Sequence, residues 1–249
     1  MKKRIFALLL MMSLAIGLFA SCSSGSVDEQ FVKAFQKGLS ARWSYAESME
    51  DQYESKEFYD ELINAELDKI GEFEDKDFED KELGEAAKGY IKTLKDTSEI
   101  TKYFDNDYDK FYTKYNSLYS NRAEYMYKIS QKADITFTNE DDKDSWETCI
   151  EEGKLYTQIN ELKSTLQFSL DKDDEWGDTT GTLVLENTMG VDFESFGWDI
   201  SLYDANGVVL ETAYAYAENW KQGQKTTFEF WTDVDFATYE ISGFDFYEE

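Results

Sequence analysis

The sequence predicts an α+β multidomain chain, an N-terminal all-α helical bundle followed by a C-terminal antiparallel β-sandwich. Three observations carry that expectation. From Val27 to about Leu166 apolar residues recur at three- and four-residue steps, and beyond Leu166 they recur at every second residue. The chain is 41% apolar and 16% aromatic, enough to build cores in spite of a formal charge of −28. Its 249 residues suit one large or two modest domains. The expected division is a leader over 1–21, a tether over 22–27, the bundle over 28–165 and the sandwich over 166–249.

The helical half divides into five segments. The first places Val32, Phe35, Leu39, Arg42, Ala46 and Met49 on one stripe, with Trp43 alongside. The second starts at Ser55, an N-cap residue, and carries Phe58, Leu62, Ile63, Leu67 and Ile70 towards Gly71. Leu83, Ala86, Ala87, Tyr90, Ile91 and Leu94 make the third. The fourth runs Phe104, Tyr108, Phe111, Tyr115, Leu118, Arg122, Tyr125 and Ile129, broken only by Arg122. Its tyrosines read as a packing seam rather than a ligand surface. Thr138 with Asp141 resembles a capping box opening the fifth, which carries Trp146, Ile150, Leu155, Ile159, Leu162 and Leu166. Short polar connections make consecutive helices antiparallel neighbours.

The second half alternates. Leu166, Phe168 and Leu170 form either the first strand or the end of the fifth helix, and Leu183 and Leu185 follow. Phe196, Trp198, Ile200 and Leu202 share one face. Asn206-Gly207 is a hairpin signal, because both residues tolerate positive φ. The return strand carries Val208, Leu210, Thr212, Tyr214 and Tyr216 at alternate positions; Gly223 marks a turn before Phe228 and Phe230. The last run alternates at Tyr239 and Ile241, then slips by one at Ser242-Gly243 to Phe244 and Phe246, the mark of a bulge. Several short strands with turns between them in about 80 residues indicate a small sandwich. A fragment from about Lys163 to Glu249 should therefore fold alone.

The N-terminus sets the expected location. Lys2, Lys3 and Arg4 precede an apolar run from Ile5 to Ala20, too short to span a bilayer, with small residues before Cys22. Phe19-Ala20-Ser21-Cys22 resembles the lipobox of bacterial lipoproteins, followed by the Ser23-Ser24-Gly25-Ser26 tether. The resemblance implies cleavage before Cys22 and lipidation of its sulfur, anchoring the protein on the outer face of the cytoplasmic membrane; Cys22 is the only site residue so assigned. Removing residues 1–21 deletes three basic residues and no acidic ones, leaving 22 against 53 and a net charge of −31. Anionic headgroups repel such a surface, so the acyl chains must hold the protein. With Cys22 acylated, Cys149 has no intramolecular partner and reads as a small core residue rather than a reactive thiol.

Glu186-Asn187-Thr188, Ile200-Ser201-Leu202-Tyr203-Asp204, Asn206-Gly207-Val208-Val209 and Gly223-Gln224-Lys225 together resemble the FxLYD domain, over residues 180–232. Ile200 and Gln222 stand where that family commonly has Phe and Pro. The resemblance implies an immunoglobulin-like sandwich of the kind found in surface lipoproteins of low-GC Gram-positive bacteria, and it brings no catalytic residue.

Composition excludes much chemistry. With no His there is no Ser-His-Asp triad, Cys-His pair or His-ligated zinc. A charge this negative opposes nucleic acid binding. Asp105-Asn106-Asp107-Tyr108-Asp109 is similar to the start of an EF-hand loop, but Lys110 and Asn116 stand where Gly and Glu are needed; the triplet reads as the start of the fourth helix. Asp171, Asp173, Asp174, Glu175 and Asp178 read as a solvated interdomain linker rather than a calcium site. Ser169 to Lys172 matches S-x-x-K without the accompanying motifs and reads as a connector. Trp198 belongs to the core, whereas Trp176 and Trp220 fall in expected loops, where aromatics can contact sugars or proteins.

The expectation is a non-catalytic, lipid-anchored envelope protein without cofactor or metal, interacting with a protein or wall polymer. The alternative is a glycan-binding or glycan-cleaving lipoprotein using exposed aromatics and a carboxylate pair. A solute-binding transporter component ranks last, for want of alternating strands and helices. A concave aromatic groove with converging carboxylates would favour glycans.

Overall fold

The computed structural model describes residues 25–49, 55–173, 175 and 177–248. Five α-helices precede six strands among these residues, an α+β order. The chain forms two compact units that divide between Lys154 and Leu155.

In the first unit, α1 spans Val27–Ser48, α2 Lys56–Ile70, α3 Lys81–Ile100 and α4 Tyr108–Ser130; α5, Glu140–Lys163, begins here. Side-chain oxygens satisfy the N-terminal amides. Ser26 Oγ accepts from Glu29 N at 3.2 Å, Ser55 Oγ from Phe58 N at 3.1 Å and Asp107 Oδ1 from Lys110 N at 3.3 Å. The Asp triplet thus starts a helix. The cap of α5 lies one residue later than the spacing of Thr138 suggests: Asn139 Oδ1 accepts from Asp141 N at 3.2 Å.

Phe31, Phe35 and Leu39 of α1 meet Ile63 and Ile70 of α2, the α3 stripe from Leu83 to Leu94, and Met126 and Ile129 of α4 in one core. Trp146 of α5 closes it, edge-on to Phe35. A second cluster gathers Tyr59, Ile100 and Phe111, with Phe104 and Tyr115 against them. The α4 seam packs at Phe111, but Tyr108 stays about half exposed.

The second unit begins inside α5. Leu155 and Ile159 are buried with the strands, and Tyr156 lies over Phe244 and Phe246. The period-3.6 pattern is continuous through this helix, so it carries no mark of where one core ends and the next begins. Strand β1 is Ser169–Lys172, β2 Thr179–Glu186, β3 Phe193–Tyr203, β4 Val209–Trp220, β5 Lys225–Thr232 and β6 Thr238–Glu248. They form two antiparallel three-stranded sheets, ordered β1-β2-β5 and β4-β3-β6. Leu166 to Leu170 therefore leaves the helix and enters a strand. Of the acidic run, Asp171 lies in β1 opposite Thr180, and Asp173, Glu175 and Asp178 fall between β1 and β2 within the strand unit rather than between domains, while Asp174 lies outside the described residues. Asp173 N donates to Asp178 O across that connection, and Gly177 N donates to Asp173 O. Ser169 and Lys172 are two ends of β1, and Lys172 Nζ pairs with Asp235 at 2.8 Å.

Phe196, Trp198, Ile200 and Leu202 point inward, where Phe196 and Trp198 meet Phe228 of the other sheet. Trp220 lies in the strand end and is fully buried against Phe193, Phe196 and Phe228, not in a loop; Asn219 before it takes φ +52°. The slip near Gly243 is present: Asp199 pairs with Gly243 and Ile200 with Ile241, leaving Ser242 as the extra residue.

Candidate functional site

The outward face of β4-β3-β6 follows from strand alternation. Alanines 213, 215 and 217 turn inward because Phe196, Trp198 and Phe228 leave little room beneath β4. Thr212, Tyr214 and Tyr216 consequently turn outward. Register places Tyr216 opposite Gly197 on β3, and Gly197 opposite Asp245 on β6; Tyr214 is opposite Asp199, and Ser195 opposite Tyr247.

Gly197 organises this face. A Cβ there would lie 2.0 Å from Tyr214 Oη, so the missing side chain is what lets Tyr214 lean across β3. Its hydroxyl donates to Asp245 Oδ1 at 2.6 Å. Tyr214 and Tyr216 stack with centroids 5.9 Å apart at 16°, and with Tyr247 they leave 46%, 57% and 68% of their surface exposed. Burial, then the Asp245 charge, pushes the Asp199 carboxyl up. Burial and the bond to Asp245 push the Tyr214 phenol up, keeping it a donor. Three aromatic faces and two carboxylates thus share one sheet surface.

No family model matches this chain, and neither a curated protein nor a solved structure matches it.

The residues of the Leu-Tyr-Asp and Gly-turn segments have structural work. Asp204 Oδ1 accepts from Asn206 N and Val208 N, both at 2.8 Å, which holds its carboxyl below the ordinary range, and Gly207 takes φ +78° in the same turn. Asn187 is fully buried and bonded on both sides: Nδ2 donates to Val191 O and Trp220 O, and Oδ1 accepts from Met189 N. It ties the turn after β2 to the end of β4.

A concavity of about 820 Å³ elsewhere in this unit lies between β1 and β6, with Leu166, Phe168, Leu170, Phe236 and Tyr239 in its lining. Tyr239 Oη bridges it, accepting from Phe168 N at 2.7 Å. It is open and of mixed polarity, with Lys163 and Glu240 also on its rim and no second carboxylate beside Glu240. On the opposite sheet Trp231 stands 57% exposed.

The helical unit contains a buried ionic group that the sequence reading missed. Glu66, 1% exposed, lies on the α2 core stripe between Leu62 and Ile70. Its Oε1 accepts from Arg42 Nη1 at 3.0 Å and from Arg122 Nε at 3.2 Å, and Tyr90 Oη donates to Oε2. Arg122 Nη2 is 3.1 Å from Oε1 but off the hydrogen-bonding line, a buried donor without an acceptor in the protein. Burial pushes the Glu66 carboxyl up, but the two guanidiniums and the Tyr90 hydroxyl outweigh it and hold the group below its ordinary value. Arginines at core positions of two separate stripes demand a buried counter-charge, and that was the available signal. Cys149 sits near this group, half buried, its thiol pushed up by burial, which disfavours the nucleophilic thiolate.

Cys22 and Trp176 lie outside the described residues. Among the described residues no helix is long and apolar enough to cross a membrane, and no acidic or Cys cluster has metal-holding geometry.

Proposed function

We propose that the chain is a non-catalytic, lipid-anchored envelope protein whose strand unit is an immunoglobulin-like sandwich that holds a wall glycan on the outward face of β4-β3-β6. The observation that carries this reading is the stacked, exposed Tyr214–Tyr216 pair beside Tyr247, edged by Asp199 and Asp245. Flat aromatic faces pack against the C–H faces of sugar rings, and carboxylates accept from sugar hydroxyls. The face is rigid because β3 is paired on both sides, so little ordering opposes binding. Cys22 and the lipobox resemblance support the anchor, and the helical unit would lie between lipid and sheet in chain order.

Co-sedimentation with insoluble cell walls tests the glycan reading: the chain from Ser23 onward pellets, and Tyr216→Ala stays in the supernatant. Equal pelleting of both would refute it. Fractionation tests the anchor: Cys22→Ala moves from membranes to the soluble fraction, and a variant as firmly bound as wild type would show that no lipid holds it.

A further inference from the structure

The outward face lacks something a general glycan surface would have. Strands β3, β4 and β6 contain no Lys or Arg, and the charged groups at their paired outward positions, Glu218, Asp199, Asp245 and Glu240, are all acidic. The chain as a whole carries a formal charge of −28. Uronic-acid and phosphate-bearing polymers would therefore meet repulsion with no compensating cation on these three strands. A neutral sugar would leave Asp199 and Asp245, diagonal neighbours across β3 and β6, as uncompensated like charges.

We propose that the glycan held on this face carries free, protonated amines, that is, de-N-acetylated amino sugars. This rests on the reading of the sheet face as a glycan site and adds the ligand's charge. Asp199 is half buried beside Asp245, and burial with that neighbour raises its carboxyl; an ammonium group beside the two relieves the repulsion between them. The ring faces of Tyr214 and Tyr216 attract the same cation through their π systems. Tyr214 donates its hydroxyl to Asp245, which leaves its ring, rather than its polar end, available to the ligand. An N-acetyl group would remove the charge that both kinds of side chain recognise.

The test is isothermal titration of the chain from Ser23 onward with glucosamine oligomers, N-acetylglucosamine oligomers of equal length, and lysine oligomers of equal charge. The glucosamine oligomer should bind about tenfold or more tightly than its acetylated counterpart, the sum of exposed cation–π and ion-pair contributions. Asp199→Asn and Asp245→Asn should each erase most of that preference, while Glu229→Gln on the opposite sheet leaves it intact. Circular dichroism of each variant verifies folding, and either carboxylate variant suffices if the other misfolds. Equal binding of both sugar oligomers would overturn the amine preference and leave the glycan face standing. Binding of neither would overturn the glycan reading itself. Lysine oligomers that match glucosamine oligomers, with all three variants alike, would reduce the effect to general attraction by an acidic protein and overturn the proposal.

Discussion

Replacing Glu66 by Gln should strongly destabilise the helical unit. The change keeps the shape of the side chain and removes the charge that two guanidiniums share. Arg42 and Arg122 expose only 11% and 8% of their side chains, so water cannot take over the role of the carboxylate. Three charge-assisted contacts disappear or weaken, each contributing about 1.5–3 kcal/mol. Against them stands the several kcal/mol that desolvating the carboxylate costs in the wild type. Stranding two buried cations around a neutral amide gives a net loss of about 3–5 kcal/mol. The Gln oxygen still accepts one bond, which favours the lower end. At an urea m-value of about 2 kcal/mol/M, the midpoint should fall by about 1.5 M. The assay is urea unfolding followed by circular dichroism at the helix minimum, with Glu61→Gln on the exposed face of α2 as control. A shift for Glu66→Gln no larger than the control's would mean that the arginines are solvated and that the cluster is not a buried ionic core.

The same cluster sets an acid limit. The folded Glu66 carboxyl lies below its unfolded value near 4.3, so its stabilisation is complete above that value and is lost as pH falls through it towards the folded pKa. Thermal melts should show the gap between wild type and Glu66→Gln closing below about pH 4; a gap unchanged at about pH 3 would contradict the assignment. Independent folding of the strand unit depends on where it starts. A fragment from Glu140 to Glu249 should unfold cooperatively, whereas one from Lys163 lacks buried Leu155 and Ile159 and should lose about 3 kcal/mol or more. Equal midpoints for the two fragments would show that α5 adds nothing to the strand core.

Much of this architecture is legible in the sequence because strand and helix periods differ so plainly. Phe196, Trp198, Ile200 and Leu202 lie on one buried face, the β3–β4 turn falls at Asn206-Gly207 with Gly207 alone of the pair at positive φ, and the one-residue slip at Ser242 is a bulge. Four features escaped for physical reasons. The core of α5 changes partners at Leu155 while its stripe continues, because one apolar face serves either neighbour equally well. Trp220 looks like a loop residue because polar Glu218 and Asn219 precede it, yet Asn219 at positive φ turns the indole back into the core. On β4 the bulky tyrosines are the exposed set and the alanines the buried one, the reverse of a hydrophobicity ranking, because inward space is already filled by Trp198 and Phe228. The candidate site follows from that inversion, as do the missing Cβ of Gly197 and the lean of Tyr214, none of which alternation alone specifies. Glu66 was hidden among 53 acidic residues and stands out only through its position between Leu62 and Ile70.

The central claim, that the outward face of β4-β3-β6 receives a glycan, is tested most directly by mapping backbone amide shifts by NMR as soluble wall-glycan fragments are added. Perturbations should concentrate at Gly197, Tyr214, Tyr216, Asp245 and Tyr247 and vanish in Gly197→Ala, whose added Cβ displaces Tyr214. Shifts centred instead on Trp231 and its neighbours on the opposite sheet, or unchanged by Gly197→Ala, would contradict the account.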